Sequence, residues 1–253
     1  MSLPVVKVSK YNLEIPELGR TIKYRPFLTG EHKILLTAIE FKDEIALINA
    51  LVDIVDACTF KELDMTKLPM HLVDYIFLKI YTKSVGAKSP AVYQCVNLVN
   101  KAPEGSDEEQ IEPCNARFNL FLNLDDSEIF YPEGYDAKKT IMVDDEVGIK
   151  LRIPSFEDYR NVDFSGTFID ITDQFILACI EYVFDKDSIR RPGEDFTPQE
   201  MIKWLEGVES RVIEEIGDFF RDLPYLGLNV DITCPDCGKK EHIELKGLED
   251  FFV

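Results

Sequence analysis

The chain has 253 residues, 45% of them hydrophobic, enough for one sizeable core or two small ones and far from the composition of a disordered chain. Its 47 acidic against 28 basic residues give a formal net charge of −19, a field that repels nucleic acid and anionic membrane and favours basic or neutral protein partners. No apolar run suits a membrane span, Met1 to Ser9 lacks the apolar centre of a secretory signal, and six cysteines in so long a chain argue for reduced thiols or a metal over a disulfide scaffold. A soluble protein that stays in the compartment where it is made is expected.

In chain order, strand-like pieces at Val5 to Val8 and Thr21 to Tyr24 flank the turn residues Pro16 and Gly19. From Glu44 to Cys58, Ile45, Ile48, Leu51, Val52 and Val55 recur at helical steps and predict one buried helix face. Pro69 suits the first turn of another helix, with Leu72, Val73, Ile76, Phe77 and Ile80 as its stripe and an end near Gly86. The period then changes to two: Phe118, Leu120, Leu122 and Leu124 predict one half-buried strand, and Ile149, Leu151 and Ile153 another that Pro154 ends. Lys101 to Glu112 reads as an inserted loop, and the acidic stretches Gly105 to Glu112 and Asp125 to Glu128 as solvated surface.

Helical spacing returns over Thr172 to Phe184. Thr197, Pro198, Gln199 and Glu200 form a capping box, opening a segment whose apolar face runs from Val212 through Ile216 and Phe219 until Pro224. At the C-terminus Leu228, Val230 and Ile232 lead to Cys234, and Ile243 and Leu245 follow, which predicts a hairpin with a cysteine pair at its turn. The apolar end Leu248, Phe251, Phe252 and Val253 must be buried against itself or a partner.

Together these elements predict an α+β fold: helical bundle regions with a β-hairpin zinc-ribbon-like element. Four regions follow. Residues 1–90 hold short strands and helices, 91–157 a β region with the first zinc hairpin and its inserted loop, 158–225 further helices, and 226–253 a C-terminal zinc hairpin packing on 91–157.

The segment Cys234-Pro235-Asp236-Cys237-Gly238 has the spacing of a zinc knuckle, in which a tight turn aims two sulfurs at one ion. A redox pair shares that spacing, but here it lies between strands instead of opening a helix. Cys95 and Cys114, each beside a predicted strand, are the expected other half, giving four sulfurs at about 2.3 Å from one Zn²⁺. Eighteen residues lie between them, unlike a knuckle, and loop-closure cost grows only logarithmically with such an insertion. The plainer alternative makes Cys95 and Cys114 ordinary half-buried thiols. His242 is a rival ligand, though strand parity sets it opposite Ile243; Cys58 and Cys179 fall on apolar helix faces and read as core. Four sulfurs leave no open position, so such a zinc is structural.

No catalytic motif is apparent: His32, His71 and His242 are dispersed, and there is no phosphate loop, nucleophile elbow or dinucleotide fingerprint. Trp204, Phe219 and Phe220 read as core or contact anchors. Several segments, Tyr24-Arg25-Pro26-Phe27-Leu28, Tyr75 to Ile80 with Ser84-Val85-Gly86, Gly148 to Phe156, and the terminal cysteine knuckle with Gly247-Leu248 and Phe251-Phe252, resemble in order and spacing the baseplate hub assembly proteins of T-even-like contractile-tailed bacteriophages. The resemblance implies a non-enzymatic hub subunit or hub assembly factor acting in the host cytoplasm during assembly, or retained in the virion baseplate. Its implied partners are other baseplate hub or tail proteins, with no nucleic acid, membrane span or small-molecule substrate, and no family catalytic residues carry over. The competing readings are a zinc-ribbon nucleic-acid or transcription module, against which the charge of −19 counts, and an enzyme with a zinc-stabilised domain.

Overall fold

Alternating apolar residues produce the first element of the computed structural model, which describes residues 7–41, 44–102 and 109–251. Tyr11–Ile15 (β1) and Arg20–Tyr24 (β2) pair antiparallel, and Leu13, Ile15, Ile22 and Tyr24 are buried on their shared face. Pro16–Leu18 forms the connecting 3-10 turn, closed by Gly19 at φ +62°, where a side chain would be strained. Of the predicted piece Val5 to Val8, Val5 and Val6 lie outside the described residues, and Lys7 and Val8 are not in a strand.

Three helices follow: Thr29–Phe41 (α1), Glu44–Cys58 (α2) and Met70–Ser84 (α3). Leu51, Val52 and Val55 of α2 are buried and Ile48 half-buried, as its periodicity predicts; the side chain of Ile45 lies outside the described set. All five stripe residues of α3 are buried, Pro69 stands just before its first residue, and Gly86 at φ +128° follows its end. Strands then dominate: Lys88–Gln94 (β3), Leu98–Asn100 (β4), Ile111–Pro113 (β5), Arg117–Asn123 (β6) and Glu128–Phe130 (β7).

The next stretch contains Thr140–Met142 (β8), Gly148–Leu151 (β9), Phe156–Asn161 (α4), Phe168–Cys179 (α5), Ile180–Phe184 (β10), Ile189–Arg190 (β11), Pro198–Leu205 (α6) and Ser210–Arg221 (α7). The chain ends with Tyr225–Thr233 (β12), Lys240–Lys246 (β13) and Gly247–Phe251 (α8). The class is α+β.

Two compact units divide the chain, one of Met1–Leu28, Asp74–Ile129 and Leu226–Val253, the other of Thr29–Val73 and Phe130–Tyr225. In the first, β3 pairs with β6 and β4 with β5, while β13, β12 and β7 form a three-stranded sheet. Its core joins Leu78 of α3, Leu122 of β6, Leu226 and Leu228 of β12, and Phe251 of α8. Phe251 is 1% exposed, and its carbonyl accepts from the Ser89 hydroxyl at 3.0 Å, so this part of the apolar C-terminus is buried against the chain itself.

In the second unit the antiparallel sheet β11-β10-β9-β8 carries α5, α6 and α7. The bundle expected from the helical stripes is not what buries them. Ile176, Met201, Val212, Ile216 and Phe219 pack against Ile141, Ile149 and Leu151 of the strands. Ile180 to Phe184, read by spacing as the end of a helix, is instead β10. A register shift between Ile180 and Tyr182 places buried Ile180 and Val183 three apart, which imitates a helical step. The helix opened by Thr197 also stops at Leu205, and α7 starts afresh at Ser210. At Gly148 any Cβ would collide with the Phe184 ring across the ladder, which explains the glycine.

Capping boxes start three of these helices, at Ser155 with Asp158, Thr167 with Asp170, and Thr197 with Glu200. Asp158 is engaged a second time, by Arg152, which grips it through two nitrogens at 2.6 and 3.0 Å while donating to the Ala178 carbonyl at 2.7 Å. Burial alone would raise the Asp158 carboxyl, but the Arg152 guanidinium and Ser155 outweigh it and hold its pKa below the ordinary value. A depressed folded-state pKa contributes stability that is present above the unfolded value of about 4 and is lost as pH falls through the folded one. Asp158→Asn is therefore expected to cost roughly 2 kcal/mol near neutral pH and to flatten the acid limb of a pH-dependent urea titration. Acid limbs of equal slope would remove Asp158 from this role.

Candidate metal centre

Two antiparallel ladders end at cysteines. The β3–β6 pairing closes at Gln94↔Arg117 and continues one step further, Cys95 donating to the Ala116 carbonyl and Asn115 donating to that of Cys95, both at 2.9 Å. The Cys114 amide then reaches the Asn97 carbonyl at 2.7 Å. Asn115 makes this kink at φ +58°, a left-handed conformation that asparagine tolerates better than most residues. Beyond the cysteines β4 and β5 form a short finger, braced where the Asn100 side-chain carbonyl accepts from the amides of Ala102 and Gln110. The predicted inserted loop, Lys101 to Glu112, is thus partly strand: Ile111 and Glu112 belong to β5, and residues 103–108 lie outside the described set.

The β12–β13 hairpin ends in the same way. Thr233↔Lys240 is its last pair, Cys234 donates to the Lys239 carbonyl at 2.9 Å, and Gly238 donates back to that of Cys234 at 3.0 Å. Gly238 sits at φ +71°, which lets the tight turn close after Cys237.

All four sulfurs lie within 4.8 Å of one another, in a group that could hold a metal ion. Cys95 Sγ is 3.7 Å from Cys237 Sγ, and Cys114 Sγ is 3.8 Å from Cys234 Sγ. These separations far exceed a disulfide bond of about 2.05 Å, and all four thiols are free. Cys95 and Cys234 are buried, and Cys114 and Cys237 half-buried.

The surroundings treat the thiols unequally. The Lys239 amide leads in lowering Cys237 to about 7, helped by Cys234 and by Asn97, whose side-chain amide lies 3.6 Å from the sulfur. The Asn97 amide also favours the thiolate of Cys95, but burial and the sulfurs of Cys234 and Cys237 outweigh it and push that thiol up to about 12. Cys114 is raised in the same manner, against the pull of the Ala116 amide. One thiolate forms readily at this cluster, and further ionisation calls for a cation to offset the repulsion between sulfurs.

The structure brings together Cys95, Cys114, Cys234 and Cys237, the last two singled out in the sequence by spacing and the first two by their place beside predicted strands. His242 stays out: it is exposed, with Nδ1 2.9 Å from the carboxylate of its cross-strand partner Asp231. Cys58 and Cys179 are buried in the other unit, where burial pushes the Cys179 thiol up to about 12. Trp204 packs half-buried against the second core. Two supports were not foreseen, Asn97 and the bond from the Tyr93 hydroxyl to Glu241 at 2.6 Å, which ties β3 to β13 beside the sulfurs. No spacing rule pairs residues 148 positions apart. Among the described residues, no helix is long and apolar enough to cross a membrane.

Comparison with known proteins adds a family. The family model described as T4 bacteriophage base plate protein matches residues 8–253. Among curated proteins, the baseplate hub assembly protein gp26 of Enterobacteria phage T4 is 29% identical over 143 residues, which cover 55% of this chain and 59% of that relative's length. No solved structure matches the chain.

Protein prepared without a metal-affinity tag is expected to carry about one metal ion per chain, since four sulfurs complete one tetrahedral shell. Replacing Cys95 and Cys237 together by serine is expected to abolish it, as read by elemental analysis beside circular dichroism. A metal content near zero in the parent, or one unchanged in the double variant, would sink the site.

Proposed function

The chain belongs to the T4 bacteriophage base plate protein family, and on that premise we propose that it is a non-enzymatic baseplate hub component or hub assembly factor. It acts through contacts with other hub and tail proteins, in the host cytoplasm during assembly and, if retained, in the virion baseplate. The observation that carries this reading is the family match over residues 8–253, supported by the likeness to a protein named for baseplate hub assembly. A net charge of −19 supports protein partners over nucleic acid, because it forfeits the counterion release that drives non-specific DNA binding.

Within that role the cysteine cluster is a structural zinc site. A tetrahedral Zn²⁺ with bonds of about 2.3 Å sets its sulfurs about 3.8 Å apart, and the two closest contacts are 3.7 and 3.8 Å. Cys95, Cys114, Cys234 and Cys237 fill all four positions, leaving none for water or substrate. The ion joins the hairpin of region 226–253 to the β region 91–157 in a zinc-ribbon-like arrangement. Its contribution is a cross-link.

Pull-downs from phage-infected cells are expected to recover baseplate hub or tail proteins, while titration with duplex DNA at low salt shows no binding in the micromolar range. Micromolar, salt-sensitive DNA binding without recovery of tail proteins would overturn the reading. Chelation is expected to open the β3–β6 and β12–β13 ends to limited proteolysis while the helical circular dichroism signal largely survives, because the helix faces of the second unit pack without the metal. A single cooperative loss of all helix would contradict that independence.

A further inference from the structure

The two-stranded β3–β6 sheet has an inner and an outer face. Ala91, Tyr93, Leu120 and Leu122 turn inward, and the tilted rings of Tyr93 and Phe118 pack with centroids 5.5 Å apart beside the cysteines. On the outer face β3 presents Lys88, Pro90, Val92 and Gln94, all exposed. Opposite them β6 presents Asn123, Phe121, Asn119 and Arg117. Val92 and Phe121 are each 71% exposed, and their registers, Val92↔Asn119 and Pro90↔Phe121, make them diagonal neighbours on one surface. The adjoining finger exposes Val96, Leu98 and Ile111.

This outer face carries no carboxylate. Its two charged groups, Lys88 and Arg117, are both cationic, in a chain of net charge −19. Charge also decides between occupants. Stacking the same face of a second copy on it puts Lys88 at the same end as the second copy's Lys88 or Arg117, according to strand direction, one strand aside, and gathers four cations with no carboxylate among them. An apolar surface flanked by carboxylates meets both the centre and the ends of the face favourably. Size adds a condition: seven residues at about 3.4 Å give a face about 24 Å long, too small alone for a stable interface of about 800 Å² per partner. The partner must therefore reach the finger as well.

We infer that the outer face of β3–β6, with Val92 and Phe121 at its centre, is a docking surface for a carboxylate-flanked apolar segment of another tail protein. This rests on the proposed role in baseplate assembly and gives that role a location. The face is distinct from the metal centre, whose ligands are held at the end of the same ladder.

The test places the photocrosslinking residue benzoylphenylalanine at position 121 of the full chain in phage-infected cells and maps the crosslinked peptide by mass spectrometry. The expected product joins position 121 to a tail-protein segment of apolar residues bordered by Asp or Glu. Val92→Thr with Phe121→Thr, which keeps strand-forming side chains, is expected to lower recovery of that protein about ten-fold with metal content and circular dichroism unchanged. Lys88→Glu with Arg117→Glu is expected to weaken it too, more at low salt than at high salt. A crosslink to a second copy of this chain, to a basic segment, or to nothing overturns the proposal, as does undiminished recovery by the threonine variant. If the parent recovers tail proteins and the variants do so equally, the surface alone fails. If the parent recovers none, the proposed role fails and the surface with it.

Discussion

The meeting of two hairpin ends at four sulfurs is the constraint on which the first unit depends. Cys95 and Cys237 are 142 positions apart, yet their sulfurs stand 3.7 Å from each other. Closing a loop of that length instead of the 18-residue interval between Cys95 and Cys114 adds only about three doublings, or about 2 kcal/mol of entropy. A structural metal of the kind proposed would contribute on the order of 10 kcal/mol, so the sequence distance is not the obstacle. The obstacle is geometric: four thiols crowd within 4.8 Å, and neighbouring sulfurs contribute to holding Cys95 and Cys114 protonated.

The order of the chain makes that constraint a late one. It crosses between the two units four times, and the first unit is complete only with Leu226–Val253. Leu226, Leu228 and Phe251 supply three of the six residues in the buried cluster around Leu78, and Cys234 and Cys237 supply two of the four clustered sulfurs. Until the last hairpin is made, β3 and β6 can pair but their inner face lacks its cover. Contacts of such long sequence separation form slowly, because chain entropy must be lost before burial compensates. The second unit holds a core that draws nothing from the C-terminal hairpin.

What was legible in the sequence follows period and punctuation. The period-two runs of β6, β9 and β12 carry their own face assignment, and the capping box at Thr197 states where α6 begins. The four candidate ligands were legible because hairpin ends announce turns. The bulge in β10 was not: it spaces Ile180 and Val183 as a helix would, and no glycine or proline separates it from α5. The capping boxes at Ser155 and Thr167 use Asp in place of the longer Glu, a signal present in the sequence but weaker than the one at Thr197. The sheet under the helices of the second unit was hidden because β10 reads as helix, and because β8 and β11, strands of three and two residues, are too short to show any period. Tyr93 and Glu241 meet only because two ladders fix their registers.

Register connects the cysteine cluster to the surface beyond it. In a strand, a slip of one residue exchanges the two faces. For β3 this would turn Tyr93 and Ala91 to solvent and drive Val92 and Lys88 inward, burying a cation against Leu122 and Leu228. The same slip would carry Cys95 away from Cys237 and break the bond of Tyr93 to Glu241. Convergence of the sulfurs therefore selects one register out of the available pairings, and that register is what leaves Val92 and Phe121 outside. The apolar pair is exposed because the opposite face is the one that packs inward, with Leu122 only 3% exposed and Cys95 1%. The cysteine cluster at the end of the ladder is thus tied to the choice of side chains that the β3–β6 sheet presents along its whole length.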